Sequence, residues 1–381
     1  MAITLPKLLP AIPATDYYAP NFKIEVEGRE LDPEAKGDIL DLKVTMDEKS
    51  LTGFDFTVNN WDDKHFAFKY SDTRIFDLGN RVHVRMGYAD DLRFMASGYI
   101  SALAPKFPES GPPTLSVTGV DNMGKMRRKP VGSDVKKFLD MADWQIAEII
   151  AARNKLDVKV SRIGPRHDVL IQENQDDALF LIERANRIDF DCYVSIDPDS
   201  GRDTLYFTSQ SGRDGKTQRV YVFEWGKSLI SFNPVLSTAD QVSKLTVRGW
   251  DPRSKTAISY TAGPDDLAGK QPAGGTTGPE VAEKSLGDKQ EVVISRPVAT
   301  ADDARQLAIS LLRERARRFL TAKGQAIGLP DLRPGDQVEL RNLGTRFDGT
   351  YDVVAVTHTL GGSGYLTEFE VSTHSDGGTK T

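Results

Sequence analysis

Cysteine is nearly missing from this sequence. The 381 residues include one cysteine, Cys192, so no disulfide can form within the chain and the fold needs no oxidising compartment. Because Phe190 and Tyr193 lie on either side of it, we expect Cys192 to be a small buried apolar residue.

Long apolar runs are missing as well. No stretch approaches the ~20 apolar residues of a membrane span. Residues 1–20 are mildly apolar, but four prolines interrupt them and Lys7 is their only basic residue, unlike a signal peptide. Such proline spacing favours extended backbone, so we predict an extended arm that lies on a neighbour. The chain is expected to be made and folded in cytoplasm.

A basic excess is also missing. Lysine and arginine number 49 against 55 acidic residues, for a net charge of −6. A dedicated nucleic-acid binder usually has the opposite balance. The basic clusters Lys125–Lys129 and Arg313–Arg318 are therefore interpreted as solvated or protein-facing. We expect no sequence-specific nucleic-acid partner and no membrane partner.

The sequence has no local signature of catalysis or cofactor binding. The five histidines form no HExxH or other metal spacing, and no GxSxG nucleophile elbow occurs. A Ser-His-Asp triad stays open from spacing alone, but no local signature supports one. The stretch 263–270, GPDDLAGK, has the wrong glycine spacing for a phosphate loop.

One acidic segment resembles the start of a calcium loop. Asp197, Asp199 and Asp203 have suitable spacing, but Thr208 occupies the position of the final carboxylate. We interpret the segment as a hairpin turn. The sequence thus predicts no catalytic residue, no metal, no cofactor and no enzyme activity.

Period-two alternation dominates both ends of the chain and indicates antiparallel sheets, whereas residues 140–188 change to a helical period. The predicted fold is a β-rich α+β multi-domain protein, with two duplicated antiparallel β modules and an α/β insertion. The predicted divisions are an extended arm (1–20), a first β module (21–121), an α/β middle domain (122–235), a second β module (236–260 and 290–381, with a helix over 300–319) and a flexible loop (261–289).

An internal repeat connects the two β modules. The strand block around RVHVRM and the block around DQVELR agree in order, spacing and turn residues, although any two β-meanders share some of this pattern. The matched ring-module positions are Leu78 with Leu332, Gly79 with Gly335, Val82 with Val338, Val84 with Leu340, Gly98 with Gly349, and Leu115 with Leu366. We expect the valines and Leu340 to be core residues, and Gly98 and Gly349 to occupy tight bends.

The repeat suggests a function through symmetry. Three copies of a chain with two similar modules present six similar modules in a ring. Such a ring could bind a six-fold tube on one face and remain three-fold on the other.

Several motifs in order resemble the phage late control gene D family, which includes tail hub proteins and the hub part of type VI secretion spike proteins. They are Gly119-Val-Asp-x-x-Gly124, Gly249-Trp-Asp-Pro and the Leu332-x-Pro-Gly … Gly349-x-Tyr-x-Val series, within similarity that runs from about residue 75 to 375. The resemblance implies that the two modules are tube-like antiparallel β-barrels and that the chain is the homotrimeric baseplate hub of a phage virion or phage-tail-like particle. It implies the tail tube protein, the spike protein and other baseplate proteins as partners.

Two other functions remain open: a tail-tip enzyme that degrades cell wall, and a carbohydrate-binding tail protein. The first needs a pair of catalytic carboxylates in a cleft. The second needs an exposed aromatic cluster, and Trp61, Tyr70, Tyr17 and Tyr18 are scattered in the sequence.

Overall fold

The structure is a computed structural model that describes residues 7–10, 19–48, 50–127, 136–197, 200–209, 219–251, 254–267, 276–287 and 289–376. Within these ranges the chain forms 24 strands and five α-helices. The elements group into two β modules and two smaller domains, each with its own hydrophobic core.

The first module is an antiparallel sheet that starts after an N-terminal strand. Its alternating residues fill one core: Phe54, Phe56 and Val58 are fully buried and the residues between them are not. The elements are β1 (Lys7–Pro10), β2 (Pro20–Val26), β3 (Arg29–Glu30), α1 (Pro33–Gly37), β4 (Ile39–Asp47), β5 (Gly53–Asn59), β6 (Trp61–Asp62), β7 (Ala67–Phe68), β8 (Arg81–Tyr88), β9 (Asp91–Lys106) and β10 (Thr114–Asp121).

The α/β middle domain follows a 3-10 helix, Asn122–Arg127. Helix α3 begins at Asp177, because the Asp176 side chain accepts a hydrogen bond from the Leu179 backbone N–H. The elements are β11 (Lys136–Ala142), α2 (Asp143–Arg153), β12 (Asp157–Val160), β13 (Arg166–Gln172), α3 (Asp177–Arg187), β14 (Phe190–Ile196) and β15 (Asp203–Ser209).

The second module and a further small domain alternate along the rest of the chain. The elements are β16 (Arg219–Glu224), β17 (Leu229–Leu236), β18 (Lys244–Asp251), β19 (Thr256–Ala262), α4 (Gly278–Leu286), β20 (Gln290–Val293), α5 (Ala301–Arg317), β21 (Leu320–Ile327), β22 (Gln337–Arg341), β23 (Gly349–Gly361) and β24 (Gly364–Thr373). A 3-10 helix, Pro264–Leu267, follows β19. Helix α5 packs on β18 and β19, and Thr300 caps it by accepting from the Asp303 N–H.

The two modules share their strand order. The first has the order β4-β5-β10-β9-β8-β2, and the second has β17-β21-β24-β23-β22-β16. Taken in chain order, the first module's strands β2, β4, β5, β8, β9 and β10 correspond one by one to β16, β17, β21, β22, β23 and β24 of the second. Each strand and its counterpart occupy the same place in the two sheets. Neighbours are antiparallel throughout, except that β16 runs parallel to β22.

Two β-bulges of the first module have counterparts in the second, whereas a third, in the pairing of β8 with β9, has none in the pairing of β22 with β23. Leu40 interrupts the pairing of β4 with β5, and Ile230 interrupts that of β17 with β21. Ser101 interrupts the pairing of β9 with β10, and Val354 interrupts that of β23 with β24. Because bulges are specific features of a sheet, two at matching places support duplication more strongly than strand order alone.

The predicted strand-rich α+β fold is confirmed, with one difference in how the sheets close. Within the described residues the pairing does not close either module into a barrel. Instead β4 pairs with β23, so that both modules join in one 14-stranded sheet.

The sheet topology divides the chain differently from the predicted boundaries. The prediction placed residues up to 235 in the middle domain, but β16 and β17 pair with β22 and β21 of the second module. Residues 240–260 were assigned to that module, yet β18 and β19 pack under α5 in the fourth core. Alternation identifies a strand but not its partner, which explains the difference.

Two predicted connecting segments contain regular structure. In the predicted loop 261–289, α4 begins where Thr277 and Glu280 form a capping box and Pro279 occupies the first turn; residues 268–275 and 288 lie outside the described part. In the predicted arm, β1 pairs in parallel with β16 of its own chain. Residues 1–6 and 11–18 lie outside the described part.

Candidate assembly surface

The joint between the modules within one chain is an antiparallel ladder. Strand β4 pairs with the second half of β23, with Met46 opposite Val356 and Leu42 opposite Leu360. Leu360 packs against the first module's core although it belongs to the second. One module therefore completes the sheet and the core of the other.

Polar contacts also link the two modules. The Tyr88 hydroxyl donates to the Gly328 carbonyl at 2.7 Å, and Arg93 forms an ion pair with Asp331 at 3.0 Å. The Arg333 guanidinium donates to the Phe94 carbonyl at 2.7 Å. Since each contact links one module to the other, the modules are held in a fixed relation.

A buried histidine lies at the centre of the joint. His358 is 0% exposed; its Nε2–H donates to the Leu332 carbonyl at 3.2 Å, and its Nδ1 accepts from the Tyr365 hydroxyl at 3.0 Å. Burial lowers the pKa of His358 to about 3, and the positive charge of Arg333 acts in the same direction. The imidazole is therefore neutral at neutral pH.

Acid should loosen this joint. Because the folded-state pKa of His358 lies below the unfolded value, its contribution to stability is present above about pH 6.5 and is lost as the pH falls towards 3. We expect urea unfolding to show a loss of about 2 kcal/mol between pH 6.5 and pH 5 that His358→Gln removes. A variant at exposed His65, His65→Gln, should retain the loss; an equal pH dependence in wild type and His358→Gln would contradict the assignment.

A polar face runs across both modules on the side of the sheet opposite the cores. In the first module Thr118 donates to Asp55 at 2.7 Å, and in the second Lys323 pairs with Glu370 at 2.6 Å. The face is built from four strands of each module, β17, β21, β24 and β23 followed by β4, β5, β10 and β9. Its side chains include Lys43, Thr45, Asp55, Thr57, Lys323, Gln325, Glu368 and Glu370, all exposed or half-buried.

Both ends of this eight-strand face are free edges within the described chain. Strand β17 pairs with β21 on one side and has no partner on the other. Strand β9 pairs with β8 as far as Tyr99; beyond the bulge at Ser101, residues 102–106 pair with β10 alone. Val235 on the first edge is 59% exposed. Unpaired edges of this kind are sites for association with another chain.

The structure separates the predicted ring-module residues into core and turn positions. Val82, Val84, Leu332, Val338 and Leu340 are fully buried, and Leu115 is 1% exposed. Leu78, by contrast, is 61% exposed although its predicted counterpart Leu332 is in the core. Gly79 and Gly335 have positive φ of 86° and 82°, which suits the turns before β8 and β22.

The predicted matches after Val84 and Leu340 do not agree with the strand register of the two modules. Val82 pairs with Gly98 and Val338 pairs with Tyr351, so Gly98 corresponds to Tyr351 and not to Gly349. Gly98 lies inside β9 and not at a tight bend, whereas Gly349 begins β23 with a φ of 148°.

The offset continues into the third strand of the repeat. Leu115 corresponds to buried Thr367, so Leu366 lies on the opposite face and is half-buried. These positions were matched by equal spacing in the sequence, which ignores the different loop lengths of the two modules. A shift of one residue in register moves a side chain to the other face of the sheet.

The first shared motif, Gly119-Val-Asp-x-x-Gly124, has a structural role at the exit from the first module. A Cβ on Gly119 would lie 2.0 Å from the Phe54 ring. Asp121 accepts from the backbone N–H groups of Thr52 and Met123. Burial raises the pKa of Asp121 to about 7, while these two donors favour the carboxylate. The motif thus fixes the start of the middle domain.

The segment interpreted as a hairpin turn joins β14 to β15. Asp197 accepts from the Tyr206 hydroxyl and the Ser200 N–H, and Lys159 lowers its pKa. Asp203 pairs with Arg81 at 2.6 Å. Among the described residues, which exclude 198–199, no group of three metal-ligating side chains comes together.

Sequence reasoning missed an exposed aromatic cluster. The Trp61 ring lies 5.5 Å from Phe68, and Phe68 lies 5.4 Å from Phe107, whose side chain is 62% exposed. The aromatics judged scattered in sequence included Trp61, but hairpin β6–β7 and the end of β9 bring other rings to it. No local pattern links 61–68 with 107, so only the fold reveals the cluster.

Comparison with solved structures identifies the fold. The chain resembles the 43 kDa tail protein of prophage MuSo2 from Shewanella oneidensis, with a TM-score of 0.68 and 14% identity over 93% of this chain and 98% of that one. It resembles a tail protein from Neisseria meningitidis MC58, with a TM-score of 0.66 and 16% identity over 93% and 97%. A third similar structure is the E. coli c3393 protein, a component of the type VI secretion system, with a TM-score of 0.57 and 15% identity over 92% and 76%.

Other comparisons complete this picture. No curated protein sequence matches the chain at a significant level. In the described part of the chain, no helix combines the length and the apolar character that crossing a membrane requires. The fold is that of phage tail proteins. Residues 17–361 match the model of the Alg8 N-terminal domain family, and the chain belongs to that family.

Proposed function

We propose that the protein is the structural baseplate hub of a contractile tail or injection system. In this role three copies form a pseudo-six-fold ring that adapts a hexameric tail tube to a trimeric spike. The observation that carries the proposal is the pair of modules with one strand order and matching bulges, already joined edge to edge within the chain.

The in-chain joint provides the geometric argument. If each module pairs with the next as the two modules of one chain do, each step turns the sheet by a similar angle. Three chains then supply six steps, and a closed ring has no free edge. The polar face of the sheet would line the lumen, and the two cores would lie outside it.

The two smaller domains explain how six-fold and three-fold symmetry can coexist. The middle domain leaves the end of β10, and the fourth domain connects β17 to β21 at the corresponding end of the second module. Each occurs once per chain, so this end of the ring has three-fold symmetry. The opposite end, formed by the turns of the modules, is closer to six-fold and is the proposed face for the tube.

The family resemblance and partners are part of the proposal. We assign the chain to the late control gene D type of hub, with the tail tube protein, the spike protein and other baseplate proteins as partners. The particle would be a phage virion or a phage-tail-like particle. The neighbours with this fold are named as tail and secretion components, and a purely structural role without catalysis accords with them.

The mass of the purified protein in solution tests the proposal. We expect light scattering to give three chain masses, at a protein concentration of tens of micromolar, with a constant mass across the elution peak. A monomer that persists at this concentration, or a dimer, would count against the hub. Binding of peptidoglycan fragments or glycans by a monomer would favour the cell-wall or carbohydrate functions instead.

A further inference from the structure

Each free edge of the polar face has a counterpart strand in the other module. These two counterparts pair with each other inside the chain, and their pairing shows how the free edges should pair. Strand β4 occupies the place in its module that β17 occupies in the other, and β23 is likewise the counterpart of β9. Strands β4 and β23 are paired within the chain, whereas β17 and residues 101–106 have free edges.

The bulges show which residues of the two free edges would lie opposite each other. Thr45 lies five residues after the bulge at Leu40, as Val235 does after the bulge at Ile230. Thr357 lies three residues after the bulge at Val354. Ala104 lies at the same distance from the bulge at Ser101. Since Thr45 is opposite Thr357 in the chain, Val235 should be opposite Ala104.

We infer that β17 of one copy pairs antiparallel with residues 101–106 of a second copy, with Val235 opposite Ala104. This inference rests on the proposed ring and names the residues that would close it. Leu236 then lies opposite Leu103, and Pro234 lies opposite Pro105.

Backbone directions agree with this register. Ser237 donates its N–H to the carbonyl of Phe319, the residue just before β21, so by alternation Pro234 and Leu236 direct their backbone groups away from β21, to the free edge. On the other edge, the Asn60 N–H donates to the Pro113 carbonyl, so the even-numbered residues of β10 direct their backbone groups to β9. The residues of β9 opposite them are even-numbered as well, so Leu103 and Pro105 direct their backbone groups to the free edge.

The opposed prolines distinguish this joint from the one within the chain. The in-chain counterpart of the proline pair is Val44 opposite His358, which can form both ladder bonds. A proline pair forms neither, because proline has no backbone N–H. The prolines thereby keep two exposed edges from unselective strand pairing, and the joint between copies has a gap at its centre.

The exposed ring of Phe107 fits the same arrangement. Its counterpart Leu360 packs on the first module's core across the in-chain joint. In the ring, Phe107 should lie against Phe232 of the second copy, at the edge of the second module's core. The 62% exposure of Phe107 in the single chain would then be covered.

An engineered disulfide tests the register. Val235 and Ala104 form a pair without ladder bonds, where Cα atoms approach to about 4.5 Å and a disulfide can form. We expect the Val235→Cys, Ala104→Cys variant to shift on oxidation from one-chain to three-chain bands on a non-reducing gel, with no larger species. The matched control, Val235→Cys with Ala102→Cys, keeps the same face but is displaced by two residues and should remain largely uncrosslinked.

The outcomes separate this inference from the proposed function. A trimeric mass with no crosslink at 235 and 104, or with preferential linking in the control, would overturn the register and leave the ring standing. A monomeric mass would overturn both. The native cysteine, Cys192, is buried and does not compete for oxidation.

Discussion

Val338→Asp is expected to unfold the second module and abolish ring assembly. Val338 is 0% exposed on β22, opposite Tyr351, within the core that also contains Leu340 and Phe369. An aspartate there would bury a carboxylate with no cationic partner among these apolar side chains. We expect the free energy of unfolding to fall by about 4 kcal/mol, measured by urea titration, and the trimer to disappear by light scattering.

The same substitution on the polar face is the matched control. Thr321 is exposed on β21, so Thr321→Asp introduces a charge without burying it. Its effect on unfolding should stay within about 0.5 kcal/mol. If Val338→Asp assembled as well as Thr321→Asp, β22 would not belong to the core of a ring module.

Gly98→Ala should be nearly as damaging, although it adds a single methyl group. A Cβ at this position would lie 2.0 Å from the Val120 carbonyl oxygen and 2.6 Å from its carbon. These are backbone atoms of the paired strand β10, so relief requires the two strands to separate. We expect a loss of about 3 kcal/mol in the free energy of unfolding, and a lower yield of trimer.

A second glycine provides the control for Gly98→Ala. Gly37 ends helix α1, and a Cβ there would have no atom within 4 Å. Gly37→Ala should therefore leave stability unchanged or slightly raised, because alanine restricts the unfolded chain. Equal tolerance at both positions would mean that β9 and β10 are less closely paired than the structure shows.

Local patterns in the sequence predicted much of the fold. Alternation in RVHVRM and DQVELR identified Val82, Val84, Val338 and Leu340, and all are fully buried. The helix predicted over 300–319 agrees with helix α5, Ala301–Arg317. These features depend on neighbours in the chain, so the sequence contains them directly.

The features that only the structure reveals depend on contacts between residues that are distant in the sequence. Nothing local indicates that β17 pairs with β21 across an inserted domain, or that β4 pairs with β23. The bulge at Ser101 likewise becomes visible only from the pairing of β9 with β10. The assembly surface is therefore the part that sequence reasoning located least well, since edges are defined by what does not pair.

One missed helix had a readable signal. Thr277 and Glu280 form a capping box, with Pro279 in the first turn, inside a segment predicted to be a flexible loop. The high content of glycine, proline, threonine and charged residues over 261–289 favoured the loop interpretation.

Electron cryomicroscopy of the isolated ring would show whether the modules close into one continuous sheet. We expect three chains and six modules at one radius, alternating between first and second modules, with strands continuous across every joint. A particle in which the second modules lie at a different radius, or in which β17 and residues 101–106 remain unpaired, would contradict this expectation.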